Sequence, residues 1–271
     1  MHPLVNIAVS AARSAGNFIV RNLDRVDQLT VESKGRNDFV TQVDRSAEAE
    51  IVKIIRKAYP QHAILGEEGG ANPGSGGNNE VVWIVDPLDG TTNFLHGIPH
   101  FAVSIGIQVR GKLEHGVIYA PSTQDLYCAT KGSGATLNNR KIRGSLAKEL
   151  DSALIGTGVP LKPELLDAYL PMLKTIAGNS AGIRRAGSAA LDLAYVAAGR
   201  LDGFFELGLK PWDMAAGIVL VQEAGGTVTD LYDARGDVMS SGHVLAAPHK
   251  LHAQLAEALR GVARPIEQAA E

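Results

Sequence analysis

Apolar positions in this chain follow two periods, and the change between them divides it into elements. Over residues 4–22 apolar side chains fall at Leu4, Ile7, Ala8, Ala11, Ala15, Phe18 and Ile19, the spacing of one buried helical face. A second helix is expected after Thr41. Thr41 and Asp44 have capping-box spacing, Ala47, Ile51, Ile54, Ile55 and Ala58 give an apolar face, and Pro60 ends it. Residues 69–79, Gly-rich with Asn and Pro, read as a loop. Val81-Val82-Trp83-Ile84-Val85 is an unbroken apolar run and reads as a buried strand. Next, Phe101, Val103, Ile105, Ile107 and Val109 alternate with Ala102, Ser104, Gly106, Gln108 and Arg110, which is period two. Arg110-Gly111-Lys112 reads as a turn, and Val117-Ile118-Tyr119 and Leu126-Tyr127-Cys128 continue the sheet. Asn138-Asn139-Arg140 reads as another tight turn.

Near residue 145 the pattern changes again. Strands are expected at Ala153-Leu154-Ile155, Gly203-Phe204-Phe205, Thr227-Val228-Thr229 and Val244-Leu245-Ala246. Helices are expected at 163–176, 189–198, 214–224 and 249–260, with Gly199 and Gly225 as C-terminal glycines. The first half thus reads as helices on an antiparallel sheet, and the second as alternating strand and helix. That gives an N-terminal α+β unit over 1–145, a C-terminal α/β unit over 146–262 and a frayed tail over 263–271. No internal repeat is visible.

Composition narrows the class. At 271 residues and 45% hydrophobic the chain can bury a large core as one domain or two intimate subdomains. A net charge of −3 gives no general attraction to nucleic acid or anionic membrane. The single cysteine, Cys128, excludes an intrachain disulfide and reads as a small buried apolar residue. No signal peptide is visible, and no apolar segment approaches the ~18 residues of a membrane span. A cytoplasmic protein is the expectation.

The candidate chemistry begins where the Val81–Val85 run stops, at Asp86-Pro87-Leu88-Asp89-Gly90-Thr91-Thr92-Asn93-Phe94. Pro87 fixes its own φ and restricts Asp86, so the turn is stiff. Two like charges held close in a stiff turn call for a cation. Gly90-Thr91-Thr92 adds N–H groups and hydroxyls suited to a phosphate. Hard carboxylate oxygens beside a phosphate favour Mg2+ over zinc. Further carboxylates stand at other strand ends and helix starts. Glu67 and Glu68 follow Ala63-Ile64-Leu65, Asp38 and Asp44 bracket the second helix start, Glu206 ends a strand, and Asp213 precedes Met214-Ala215-Ala216.

Each has an ordinary explanation by itself. Asp213 suits a helix cap, Asp44 a first-turn charge, Glu67 and Glu68 a solvated turn, and Asp86 and Asp89 a turn. Those explanations weaken together, because several independent element ends present one chemical type. There is no Gly-x-Ser-x-Gly elbow and no Walker loop. His96 and His100 read as loop residues near the site, and Arg184-Arg185 as a solvated face or subunit contact.

These residues resemble a known family. The chain is similar to the inositol monophosphatases of the Mg2+-dependent, lithium-sensitive phosphatase superfamily, and its overall run to their bacterial SuhB branch. The resemblance rests on Asp86–Phe94, on Pro211-Trp212-Asp213-Met214-Ala215-Ala216 and on Gly187-Ser188-Ala189-Ala190, and runs from about residue 3 to 260. It implies a layered α-β-α-β-α sandwich, of α+β or α/β class, as in fructose-1,6-bisphosphatases. It implies that Glu67, Asp86 and the Leu88 carbonyl hold one Mg2+, that Asp86, Asp89 and Asp213 hold a second, and that Glu67 contacts a third. By the same resemblance Gly90 and Thr91 bind phosphate, while Gly187, Ser188, Ala189 and Glu206 face the inositol ring. Asp44 orients the Thr91 hydroxyl, and Lys34 and Asp38 belong to a mobile loop over the site. The implied reaction is direct water attack on a phosphate monoester with no phosphoenzyme, positioned by Glu67 and Thr91. Inositol-1-phosphate is the implied substrate, with Li+ as inhibitor and a homodimer as the assembly. Two other functions stay open: a sugar bisphosphatase, and a transcription antitermination factor that binds the RNA polymerase machinery.

Overall fold

The computed structural model describes residues 2–23, 26, 31–35, 38–75, 80–160 and 162–262, with the backbone alone for 31–35 and 38–40. The expected tail at 263–271 lies outside the described residues, as do residues 76–79 of the expected loop.

The first layer is a helix pair. Helix α1 (Pro3–Leu23) buries Leu4, Ala8, Ala11, Ala15 and Ile19, as the spacing predicts. A two-stranded antiparallel ribbon, β1 (Val31–Gly35) and β2 (Asp38–Thr41), leads into α2 (Gln42–Ala58). The capping box forms: Val43 N–H donates to Thr41 Oγ1 at 3.0 Å, and Asp44 Oδ2 accepts from Thr41 N–H at 2.9 Å. The buried face of α2 differs in detail from the expected one. Ala47, Ile51 and Ile55 are buried, but Ala58 is exposed, and the stripe runs on through Val43, Asp44 and Glu48 toward the first turn.

These helices cover one face of an eight-stranded sheet of order β10-β9-β8-β7-β6-β5-β3-β4. Its strands are β3 (Ala63–Gly66), β4 (Gly70–Asn72), β5 (Val81–Asp89), β6 (Ala102–Val109), β7 (Lys112–Ala120), β8 (Asp125–Thr130), β9 (Gly134–Leu137) and β10 (Arg140–Ile142). All neighbours are antiparallel except β3 and β5, which run parallel. The turn at Asn138-Asn139 uses positive φ at both residues, 49° and 64°, a conformation that Asn tolerates. A short helix, α3 (Thr91–Leu95), follows β5.

The period-two strand β6 is buried on both faces. Its large residues, Val103, Ile105 and Ile107, join the core under α1 and α2. Its small ones, Ala102, Ser104 and Gly106, face a second helix layer. There α6 (Pro211–Glu223) lies against β6, β7 and β8 beside α5 (Ala189–Ala197). A Cβ on Gly106 would come within 2.5 Å of the Ala215 Cβ, and one on Gly116 within 2.4 Å of the Ala216 carbonyl oxygen. Glycine at these paired positions is what lets α6 lie so low on the sheet.

Beyond α5 and α6 stands a five-stranded sheet of order β12-β11-β13-β15-β14. It comprises β11 (Leu154–Thr157), β12 (Gly182–Arg184), β13 (Gly203–Glu206), β14 (Gly226–Asp230) and β15 (Val244–Pro248). Helices α4 (Pro163–Asn179) and α8 (His249–Arg260) cover its outer face, and a single turn, α7 (Val238–Ser241), lies near β14. The result is the layered α-β-α-β-α sandwich. Residues 143–149 link the two sheets without an element of their own. The core around α5 and α6 draws residues from both halves, such as Tyr127 and Phe204, so the middle layer joins them. Among the described residues no helix is long and apolar enough to cross a membrane.

Candidate active site

Strand β5 ends at the site. Its pairing with β6 holds Asp86 opposite Ser104, then slips, and resumes with Asp89 opposite Ala102. Such an irregularity re-aims side chains, here turning both carboxylates to the same opening. Asp86 is 2% exposed and accepts from Leu88 N–H through Oδ1 at 3.0 Å. Asp89 Oδ2 accepts from the Ser188 hydroxyl and from Ala190 N–H, so it also caps α5. Asp213 stands in the first turn of α6 and accepts from Lys210 N–H at 2.7 Å. The Ser104 hydroxyl donates to the Trp212 carbonyl at 3.2 Å, which pins the start of α6 to the residue opposite Asp86.

Glu67 enters from β3. Its N–H donates to the Val85 carbonyl at 3.1 Å. Glu48 of α2, 6% exposed, accepts from Glu68 N–H and Gly69 N–H at 2.9 and 2.7 Å. A buried carboxylate thus clamps the turn that presents Glu67. Sequence reasoning missed Glu48; the only signal was a charged residue one turn from the expected apolar stripe.

Glu67, Asp86, Leu88, Asp89, Gly90, Thr91, Gly187, Ser188, Ala189, Glu206 and Asp213 all line one cleft of about 710 Å3. Asp44 stands behind it. Thr91 Oγ1 lies 2.8 Å from Asp44 Oδ1 and 3.0 Å from the Leu88 carbonyl oxygen, so its one proton goes to one of these acceptors. Asp44 Oδ2 is held by the capping box. Lys34 and Asp38 fall in β1 and β2, with the rest of their expected loop, Arg36 and Asn37, outside the described residues. His96 is exposed after α3, and the His100 carbonyl accepts from the Asn93 side chain. Asn93, 7% exposed, also donates to the Ala186 and Gly187 carbonyls, at 2.9 and 3.3 Å. Gly90 has φ +95°, and a Cβ there would meet the His100 and Gly187 carbonyl oxygens at 3.0 and 3.3 Å.

The electrostatics are those of an acid cluster short of positive charge. Burial, then Glu67, Asp89 and Asp213, push the Asp86 carboxyl well up. Burial and Asp89 do the same to Asp213. Burial raises Asp89 to about 6 despite its hydrogen bonds to Ser188 and Ala190. Glu67 beside Asp86 adds to the rise of the Asp86 carboxyl, a repulsion that a proton or a cation between the two carboxylates would relieve. Glu206 rises to about 8 through burial, Asp192 and Asp89.

Among the described residues no three His, Cys, Asp or Glu side chains stand as a formed metal-binding group. The four carboxylates share a cleft and a field, not a closed coordination sphere. In donor chemistry they fit hard divalent cations. Each of the three aspartates commits one oxygen to the fold through an N–H donor, and carboxylate oxygens are the ligands Mg2+ takes.

Other lining residues escaped the sequence reading. Asp192, Arg185, Lys162 and Lys210 all border the cleft. Arg184 and Arg185 are exposed, as the solvated-face reading has it, but Arg185 also faces this cavity. Asp192 sits within the apolar run of α5 and gave no signal.

A family model described as the inositol monophosphatase family matches residues 1–264. The Nus factor SuhB of Pseudomonas aeruginosa is 53% identical over 253 residues, covering 92% of this chain and 93% of that protein. The crystal structure of the extragenic suppressor protein suhB from Bartonella henselae has a TM-score of 0.92 at 45% identity, over 96% of this chain and 99% of that one. A Staphylococcus aureus protein, SaIMPase-II, crystallised with inositol monophosphate bound, has a TM-score of 0.77 at 30% identity, over 94% of this chain and 93% of that one. With the family model matched over nearly its whole length, this chain belongs to the inositol monophosphatase family.

Proposed function

We propose that the protein is a Mg2+-dependent phosphate monoester hydrolase acting on inositol monophosphate. The observation that carries this reading is the convergence of Glu67, Asp86, Asp89 and Asp213 on one cleft beside Gly90 and Thr91. Glu67, Asp86, the Leu88 carbonyl, Asp89 and Asp213 would hold two to three ions. When bound, Mg2+ acidifies water and offsets charge on the phosphoryl and leaving oxygens.

The chain's own residues orient the reactants. Where Thr91 gives its proton to Asp44, its lone pairs are free to accept from the attacking water. Asp44 keeps that geometry because its other oxygen is locked in the α2 cap. Glu67 would share the positioning of that water. Gly90 and Thr91 face the cleft where the phosphate would lie, and Gly187, Ser188, Ala189 and Glu206 border the space left for the alcohol. Lys34 and Asp38 would cover the opening. Phosphate release from a panel of inositol-1-phosphate, fructose-1,6-bisphosphate and glycerol phosphate, with Mg2+ and with or without Li+, tests the assignment. Inositol-1-phosphate should be preferred and Li+ should inhibit; preference for the bisphosphate would favour the sugar-phosphatase reading instead.

A second reading is favoured by the relative named Nus factor SuhB. Under it the protein also serves the transcription machinery, with a homodimer or a polymerase complex as its assembly. Co-purification with RNA polymerase, repeated with Asp89→Asn, tests it. Binding retained by that variant would make the partner role independent of catalysis, and no binding by either protein would remove the reading.

A further inference from the structure

Glu67, Asp86, Asp89 and Asp213, the carboxylates proposed to hold metal, line the cleft. A second acidic pair, Asp192 and Glu206, lines the same cleft, and only Glu206 has a role so far. Asp192 is 2% exposed, yet it borders the cavity. Its Oδ1 is buried and has no hydrogen-bond partner. Asp192 belongs to the first turn of α5, where a carboxylate is favourable to the helix dipole. An exposed residue would supply that benefit without the cost of burying a bare carboxylate oxygen. Something other than the helix accounts for its place.

Strand β11 shows how the pair is housed. Gly156 stands in front of Asp192: a Cβ there would lie 3.5 Å from the Asp192 Cγ. Gly158 stands in front of Glu206, whose carboxylate would meet a Cβ there at 1.9 Å. Gly156 in β11 and Gly158 just beyond it thus leave the space that the two carboxyls fill. Two carboxyls bordering one cleft suit two hydroxyls of one small ring. Burial and the neighbouring Asp89 push both carboxyls up, against a smaller opposing pull from Arg185.

We propose that Asp192 is a substrate-specificity residue, a second hydroxyl acceptor beside Glu206 that selects a polyol phosphate over a phosphate ester of a simple alcohol or phenol. This rests on the phosphatase reading above. The phosphate lies toward Asp89, and two ring hydroxyls donate to Asp192 and Glu206. A ligand without them leaves the Asp192 oxygen bare, and an unpaired buried acceptor is what gives such sites their selectivity.

The test compares kcat/KM for myo-inositol 1-phosphate and for 4-nitrophenyl phosphate in wild type, Asp192→Leu and Asp192→Asn. The expected result is a fall of about tenfold or more in the inositol-to-nitrophenyl ratio for Asp192→Leu. It should be expressed mainly in KM, with Asp192→Asn intermediate because one acceptor oxygen remains. The melting temperature of Asp192→Leu should equal or exceed that of wild type, since a buried carboxyl with an unpartnered oxygen is gone. A ratio within twofold of wild type for both variants overturns the proposal, as does a ratio unchanged in Asp192→Asn where Asp192→Leu fails to fold. Should the wild-type protein hydrolyse neither ester, the phosphatase reading falls. Calorimetric titration with inositol monophosphate then decides the subsite alone. Weaker binding by the variants supports it; equal binding, or none by any protein, overturns it.

Discussion

The tightest link between sequence and chemistry is a single side chain with two tasks. Asp44 uses one oxygen to cap α2 and the other to orient the Thr91 hydroxyl. The capping spacing was legible in the sequence itself; the second task came only through the family resemblance, because Thr91 lies 47 residues away. Replacing Thr91 by Val should lower kcat by about 10- to 100-fold. Asp44→Asn should do the same, and the double variant should be little worse than either, since the two act as one unit. Additive losses in steady-state kinetics would contradict that. The acid cluster also predicts a pH dependence. Asp89 is held up at about 6 and Glu206 at about 8, so each binds more protons folded than unfolded. Stability must then fall as pH rises through that window. It opens near the ordinary carboxylate value of about 4 and closes near 8. With a chelator present, the melting temperature should decline across that range, and Mg2+ should restore more of it at the alkaline end. A pH-independent melting temperature, indifferent to Mg2+, would count against an uncompensated cluster.

Elements with one clean period were read well from the chain. Helix α1 and strands β6 to β8 follow their patterns, and α5 and α6 stop at glycines with φ +68° and +86°. The ribbon β1–β2, strand β4 inside the expected 69–79 loop, the short helix α3 and strand β12 were missed. They are short, and partners elsewhere hold them: β2 packs on α2 and α3, and β12 pairs with β11. Likewise the alternation in β6 marks large and small residues between two helix layers, a distinction that appears only once α6 is placed. Two predictions belong to this scale. A Gly106→Val side chain would collide with Ala215, so it should cost about 1–3 kcal/mol in urea unfolding. The variant should also need more Mg2+ for half-maximal activity, because Asp213 rides on α6. Glu48→Ala frees the turn that carries Glu67, and should raise the Mg2+ requirement by about tenfold or more. Normal Mg2+ dependence in Glu48→Ala would show that the turn keeps its place without the clamp.

For the whole molecule, five layers bring together segments that are far apart in the chain. Glu67 comes from just past the end of β3, Asp86 and Asp89 from the end of β5, Asp192 and Asp213 from the middle helix layer, and Glu206 from β13 of the second sheet. The sequence and its resemblance named all of these but Asp192, and their convergence depends on Gly106, Gly116 and Ser104 setting the depth of α6. Under the proposed function those carboxylates act together on Mg2+. Its most direct test is the rate of phosphate release from inositol-1-phosphate as a function of Mg2+ concentration, for wild type and Asp89→Asn. Saturable Mg2+-dependent release by the wild type, with a loss greater than about 100-fold in a variant that still folds, is the predicted result. Release by Asp89→Asn with a near-normal Mg2+ dependence would contradict it.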